Sequence, residues 1–367
     1  MSEYSIQYPR KVLVRTLLRG LARTVFALLS RTEVRGLENL PKQGPAILVG
    51  NHVAMIETVL MLAYPPYQVE MVAVGDIPFD KTFAPLINAY GVVPIKRGSM
   101  DREGMGMMLD VLKQGGVLGM FPEGGIWETG SKGARTGVAW LSSKANAPIV
   151  PIGFGGIEGA IAGMIGLKRP RMTMNIGQVI PPIGVDMDGK SRKEALEAGA
   201  NMVMERIEAL IPPEDRQQQN RIEYERFDFQ FTLQAANGAA VTDAPAITQK
   251  EALSKFFHRP VLLDVLARNL ARPVQPLQRL DTDPAQLAAA AQEVIRYLTD
   301  ENPQFLNYRF GYEVGGAMLV GITELRDLAH WAARHGCTLI LKPLRWSRLA
   351  GSAEEVFEEK PAAKHKF

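Results

Sequence analysis

Short apolar runs punctuated by Gly and Pro dominate the chain from about Glu33 to Ile183. Ala46–Gly50 follows Pro45, and Val69–Val74, Gly91–Ile95, Val117–Phe121 and Ile149–Phe154 repeat the pattern. Each has the length and composition of a strand buried on both faces. Between them, Met100–Lys113, stopped by Gly115 and Gly116, and Thr136–Ala147 are the helical candidates. Arg171–Ile176 alternates apolar and polar residues, and Lys193–Leu210 predicts a closing helix. Strands alternating with helices predict an α/β domain over residues 33–211, a mixed sheet flanked by helices.

After that domain, Ile211-Pro212-Pro213 and the polar Glu214–Asn220 mark a boundary. Farther on, Phe227, Phe229, Phe231 and Leu233 alternate as in a half-buried strand. Asp283 is placed to cap an Ala-rich helix, Ala285–Leu298, with Pro284 at its first position. Residues 212–357 are therefore expected to form a C-terminal α+β domain, to which the sequence assigns no role. Residues 358–367 are expected to be a disordered tail.

Residues 1–32 carry a different pattern. Leu13, Val14, Leu17, Leu21, Val25 and Leu28 share one side of a helix, and Arg15, Arg19 and Arg23, four apart, form a basic ridge on the other. Such a segment can lie in a membrane interface, its leucines among acyl chains and its arginines at anionic headgroups. The same pattern also fits a surface helix packed on its own core.

Composition narrows the classes. The chain has 367 residues, 46% hydrophobic and 22% charged, enough for a full core. Its one cysteine, Cys337, excludes an internal disulfide framework and a Cys-rich zinc site. The net charge is +3, and the positive excess lies at the front, where Arg10 through Arg35 are opposed only by Glu33. No signal-peptide pattern opens the chain, and no apolar run reaches the roughly 20 residues needed to span a bilayer. The aromatic-interleaved basic groove that binds single-stranded nucleic acid is not visible, so no nucleic-acid partner is expected.

The chemistry gathers at strand ends. Ile47-Leu48-Val49-Gly50-Asn51-His52 puts a histidine where a buried strand emerges, and Glu57 follows five residues later. Within one helix those side chains would point about 140° apart. They meet only if His52 precedes the helix and Glu57 lies in its first turns. A carboxylate on Nδ1–H would then leave Nε2 as a base. Gly91-Val92-Val93-Pro94-Ile95-Lys96-Arg97-Gly98 ends an apolar strand with two cations. Phe121-Pro122-Glu123-Gly124-Gly125 puts a carboxylate beside a flexible turn, and Pro148–Gly153 is an apolar run between prolines. Taken singly, these fit a structural histidine, a surface basic pair, a turn and a core strand. Strand ends of one sheet converge on one rim, which would bring His52, Arg97 and Glu123 to a common cleft. Gly-x-Ser-x-Gly, a Walker loop and a metal-ligand cluster are all absent from the sequence.

In this order and spacing the four blocks resemble the glycerophosphate/lysophosphatidate acyltransferases, the PlsC-like family, over roughly Arg31–Ile183. The resemblance implies direct transfer of a fatty acyl group from acyl-CoA or an acyl carrier protein to a hydroxyl of a lysophospholipid or related lipid. It implies His52 as general base and Glu57 as its orienting partner. Lys96 and Arg97 would meet the acceptor phosphate, and Phe121, Pro122, Glu123 and Gly124 would line the acceptor site. No cofactor and no metal is implied, and the expected location is peripheral, on the cytoplasmic face of an anionic membrane. Two positions depart from the family pattern: Glu57 stands where Asp is usual, and Ile126 stands where the third motif commonly has Arg. A silent lipid-binding scaffold of the same fold, or a thioester hydrolase, are the competing functions.

Overall fold

The computed structural model describes residues 6–74, 84–95, 101–122, 136–184, 191–219, 222–239, 241, 243–259, 262–263, 266–267, 270, 274–280, 283–349 and 351–360. They form two compact units, one running to Gln219 and the other from Ile222 to Lys360.

The first unit is an α/β domain built on a seven-stranded sheet. Its strands are β1 (Arg31–Arg35), β2 (Ala46–Gly50), β3 (Val69–Val74), β4 (Val93–Ile95), β5 (Val117–Met120), β6 (Ile149–Gly155) and β7 (Arg171–Ile176). They lie in the order β1-β7-β6-β2-β5-β3-β4. All neighbours run parallel except β6 and β7. Central β2 shows why the apolar runs are continuous. Ala46 and Leu48 enter one core cluster, Ile47 and Val49 the other, and all four are fully buried. On one face lie α1 (Val12–Leu29), α2 (Ile56–Ala63) and α6 (Ala160–Ile165), which supply Phe26, Leu60, Met61 and Met164 to the core. On the other lie α4 (Arg102–Lys113), α5 (Gly137–Ala145) and α7 (Arg192–Leu210), with Met108, Val111, Leu141 and Val203. The short α3 (Ala84–Tyr90) leads into β4.

The helix ends follow from local chemistry. Asp101 accepts from Gly104 N at the start of α4. Ser191 and Glu194 form a reciprocal capping box at the start of α7.

The boundary lies farther along than the prolines suggest. Pro213–Gln219 is helix α8 and belongs to the first unit. Asp215 accepts from Gly156 N at 3.0 Å just past β6, and burial raises its carboxyl from the ordinary range.

The first helix also differs from expectation, in which side it turns inward. Arg15 is fully buried, and its guanidinium meets both oxygens of buried Glu70 on β3 as well as the carbonyls of Tyr90 and Gly91. Arg10 reaches the same carboxylate at 2.8 Å. Arg19 donates to Pro65 O, and Arg23 donates to Ala63 O at 2.7 Å. Arg15 and Arg19 are therefore turned into the domain, and the exposed Arg23 is tied to it through Ala63 O. The opposite side faces out: Leu13, Leu17, Leu21 and Leu28 are each at least 60% exposed. Near the end of α1, Arg169 donates to Ala27 O and Ser30 O. That contact holds the loop after α6, where Leu167 is 73% exposed beside Lys168, and Ile165 at the end of α6 is 78% exposed. No helix among the described residues is long and apolar enough to cross a membrane.

The second unit has a three-stranded antiparallel sheet of β8 (Ile222–Gln234), β9 (Thr338–Leu349) and β10 (Glu355–Glu359), in the order β10-β9-β8. Helices Lys250–Phe257, Pro284–Arg296 and Tyr312–Arg334 accompany it. Phe229 and Leu233 are buried, and Phe229 stacks on Phe257. Asp283 caps the helix that Pro284 begins, accepting from Ala285 N. Of the disordered tail expected over residues 358–367, the first three residues are paired, and residues 361–367 lie outside the described residues. Glu358 and Glu359 pair with Arg345 and Leu344 in β10, and Lys360 N donates to Pro343 O.

Candidate active site

The site grows from the C-terminal end of β2. Gly50 has to be glycine because a Cβ there would lie 2.6 Å from the Phe154 ring on β6. Asn51 is buried and continues the strand pairing with its side chain. Its Oδ1 accepts from Phe154 N at 2.7 Å and its Nδ2 donates to Phe154 O at 3.1 Å. The amide thus stands in for one more rung of the ladder and fixes the point from which the chain turns off the sheet.

His52 comes next, ahead of the helix as the spacing argument required. Three residues of bend separate it from α2, and Glu57 sits in the first turn of that helix. His52 Nδ1 and Glu57 Oε1 are 2.8 Å apart. The same oxygen accepts from Val53 N and Ala54 N, both at 2.7 Å. Glu57 is fully buried, whereas the His52 side chain keeps 16% exposure. A carboxylate at a helix N-terminus with two backbone donors is held in one place. An imidazole donating Nδ1–H to it presents its lone pair at Nε2.

Phe121 follows directly on β5, the parallel neighbour of β2, with Val49 opposite Met120. Its ring stacks on the His52 imidazole, centroids 3.9 Å apart and planes 3° from parallel. Pro122 beside it is buried. The structure thus brings His52, Glu57, Phe121 and Pro122 to one rim. Lys96, Arg97, Glu123 and Gly124 lie outside the described residues. β4 and β5, the strands that precede them, belong to the same parallel run as β2.

Asn51 and the two backbone N–H groups were not anticipated from the sequence. The only pointer to them was the polar Asn-His pair directly after an unbroken apolar strand. No group of three or more His, Cys, Asp or Glu side chains suited to a metal ion occurs among the described residues.

Residues 31–155 match the family described as Acyltransferase. The 1-acyl-sn-glycerol-3-phosphate acyltransferase of Bacillus subtilis (strain 168) is 22% identical over 189 residues, covering 51% of this chain and 92% of its own length. Among solved structures, the 1-acyl-sn-glycerophosphate (LPA) acyltransferase PlsC from Thermotoga maritima has 18% identity and a TM-score of 0.38. That match covers 55% of this chain and 83% of the other. Residues 31–155, the segment that matches the Acyltransferase family, hold the His52–Glu57 pair and Phe121, and the chain that carries them is an acyl-transferring enzyme.

Proposed function

We propose that the protein moves a fatty acyl group from an acyl-CoA or acyl-carrier-protein thioester to the hydroxyl of a lysophospholipid, at a membrane surface. The observation that carries the mechanism is the 2.8 Å contact between His52 Nδ1 and buried Glu57. His52 Nε2 takes the hydroxyl proton as the acceptor oxygen attacks the thioester carbonyl. The new C–O bond forms, the C–S bond breaks, and the imidazolium returns its proton to the departing sulfur. Glu57 holds the ring and balances its charge during the interval. No enzyme-bound acyl group is needed. Lys96 and Arg97 are proposed for the acceptor phosphate, with Glu123 and Gly124 at the acceptor site. The named substrate of the curated relative, 1-acyl-sn-glycerol-3-phosphate, sets the acceptor class to try first.

Membrane attachment is proposed through the outward leucines of α1, with Ile165 and Leu167 beside them and Lys168 toward anionic headgroups. Leucines left in water on one side of a helix have the chemistry of an interfacial segment.

The test is incubation with labelled acyl-CoA and a panel of lysolipids, with products read by mass. Acylated lipid, and a loss of turnover of about 100-fold or more in His52→Ala, are expected. Free fatty acid would indicate a hydrolase, and vesicle binding without turnover a silent lipid binder. A folded His52→Ala protein with full activity would remove the base.

A further inference from the structure

We infer that Phe121 is a positioning residue for the His52 base and not a contact for the acceptor lipid. This rests on the acyl-transfer reading above. The Nδ1–Oε1 contact fixes one point of the imidazole, and tilt about the line joining it to Glu57 is a motion that this one contact does not restrict. A parallel phenyl face with centroids 3.9 Å apart closes that freedom. Phe121 is itself held, because its ring packs against the core cluster that contains Leu60, Met61 and Val117. The wall is therefore continuous with the domain interior.

The stack has an electrostatic side as well. The parallel stack sets the imidazole over the phenyl face, the negative part of its quadrupole, so the contact gains when the imidazole becomes a cation. His52 becomes that cation when it takes the acceptor's proton. A leucine at position 121 fills similar space and supplies neither the flat wall nor the quadrupole. A tyrosine supplies both.

The experiment compares Phe121→Leu and Phe121→Tyr in the full chain, with labelled palmitoyl-CoA and 1-palmitoyl-glycerol-3-phosphate as probes. Phe121→Leu is expected to lower kcat by about tenfold or more, since small misplacements of a catalytic group carry such losses. Its acceptor KM should stay within about threefold of the starting protein, and Phe121→Tyr should recover most of the turnover. Nitrogen-15 NMR provides a readout independent of turnover. The chain has five histidines, so the His52 signals are assigned by their loss in His52→Gln. The parent and Phe121→Tyr should hold the neutral-ring proton on Nδ1, and Phe121→Leu should mix the tautomers. If Phe121→Leu fails to fold, Phe121→Met carries the same comparison.

A raised KM with kcat and tautomer unchanged would make Phe121 a substrate contact and overturn the inference, as would no change in any readout. Full activity in His52→Ala would instead sink the acyl-transfer mechanism, while the tautomer comparison would still decide whether Phe121 sets the ring.

Discussion

Glu57 places all its resolved hydrogen bonding on one oxygen. Oε1 accepts from His52, Val53 and Ala54, while the buried Oε2 has no partner among the described residues. Glu57→Gln separates charge from shape at this point. The amide oxygen can take the place of Oε1, but the new NH2 is buried where no described residue accepts from it. Turnover is expected to fall about 100-fold or more through loss of the charge that stabilises the imidazolium. Unfolding free energy should drop by only about 1–3 kcal/mol, the cost of an unsatisfied buried group. Steady-state kinetics and urea titration of the same sample check both, and unaltered turnover would show that geometry alone suffices. The His52–Glu57 pairing was legible in the sequence because a five-residue offset works only across a helix start. The two backbone donors were not, since they depend on how the bend between the residues is drawn.

At the scale of elements, α1 is held by a buried ion pair with unequal partners. Glu70→Met leaves Arg15 as an uncompensated charge with no exposure, which costs about 3–5 kcal/mol. Arg15→Met leaves Glu70 still facing Arg10, whose side chain is 25% exposed, so the loss should be smaller. Denaturant unfolding of the two variants gives the ranking, and the reverse order would show that Arg10 does not compensate. Helical periodicity showed both sides of α1 but not which one the domain would cover. The deciding partner, Glu70, lies on a strand 55 residues away. In the second unit His258 titrates below its ordinary 6.5, through burial first and the nearby Lys360 and Arg345 after it. A bond to Ser254 O and the Glu358 charge oppose the shift. The unfolded chain therefore binds this proton more readily than the folded one. Stability contributed there should fall as pH drops from above 6.5, and His258→Gln should flatten that slope in pH-dependent melts of the second unit.

For the whole molecule, the proposed lipid surface is apolar before it is basic. Leu17→Ser with Leu21→Ser removes two exposed side chains, each worth about 1.5–3 kcal/mol when buried. Flotation with phosphatidylglycerol-containing vesicles should show partitioning reduced about 100-fold, with the fold intact because neither residue packs inside. Since Arg15, Arg19 and Arg23 are occupied with the domain, raising salt should weaken binding less than the serine pair does. Binding by the serine pair equal to that of the parent would clear α1 of this role. The buried strands and most helices were legible in the sequence from apolar runs between glycines and prolines. The sheet order was not, because it depends on contacts between distant segments: β1 pairs with β7, and β2 lies between β6 and β5. Nor was the attachment of Pro213–Gln219 to the first unit, which depends on Asp215 reaching Gly156.

The inward arginines have one more effect. A free amphipathic peptide can roll about its long axis until its greasy side finds oil. Here that roll is locked at folding by salt links and carbonyl contacts spread from Arg10 to Arg23. The heading of the candidate site's rim relative to the outward leucines is thus an angle set by the folding of the domain itself.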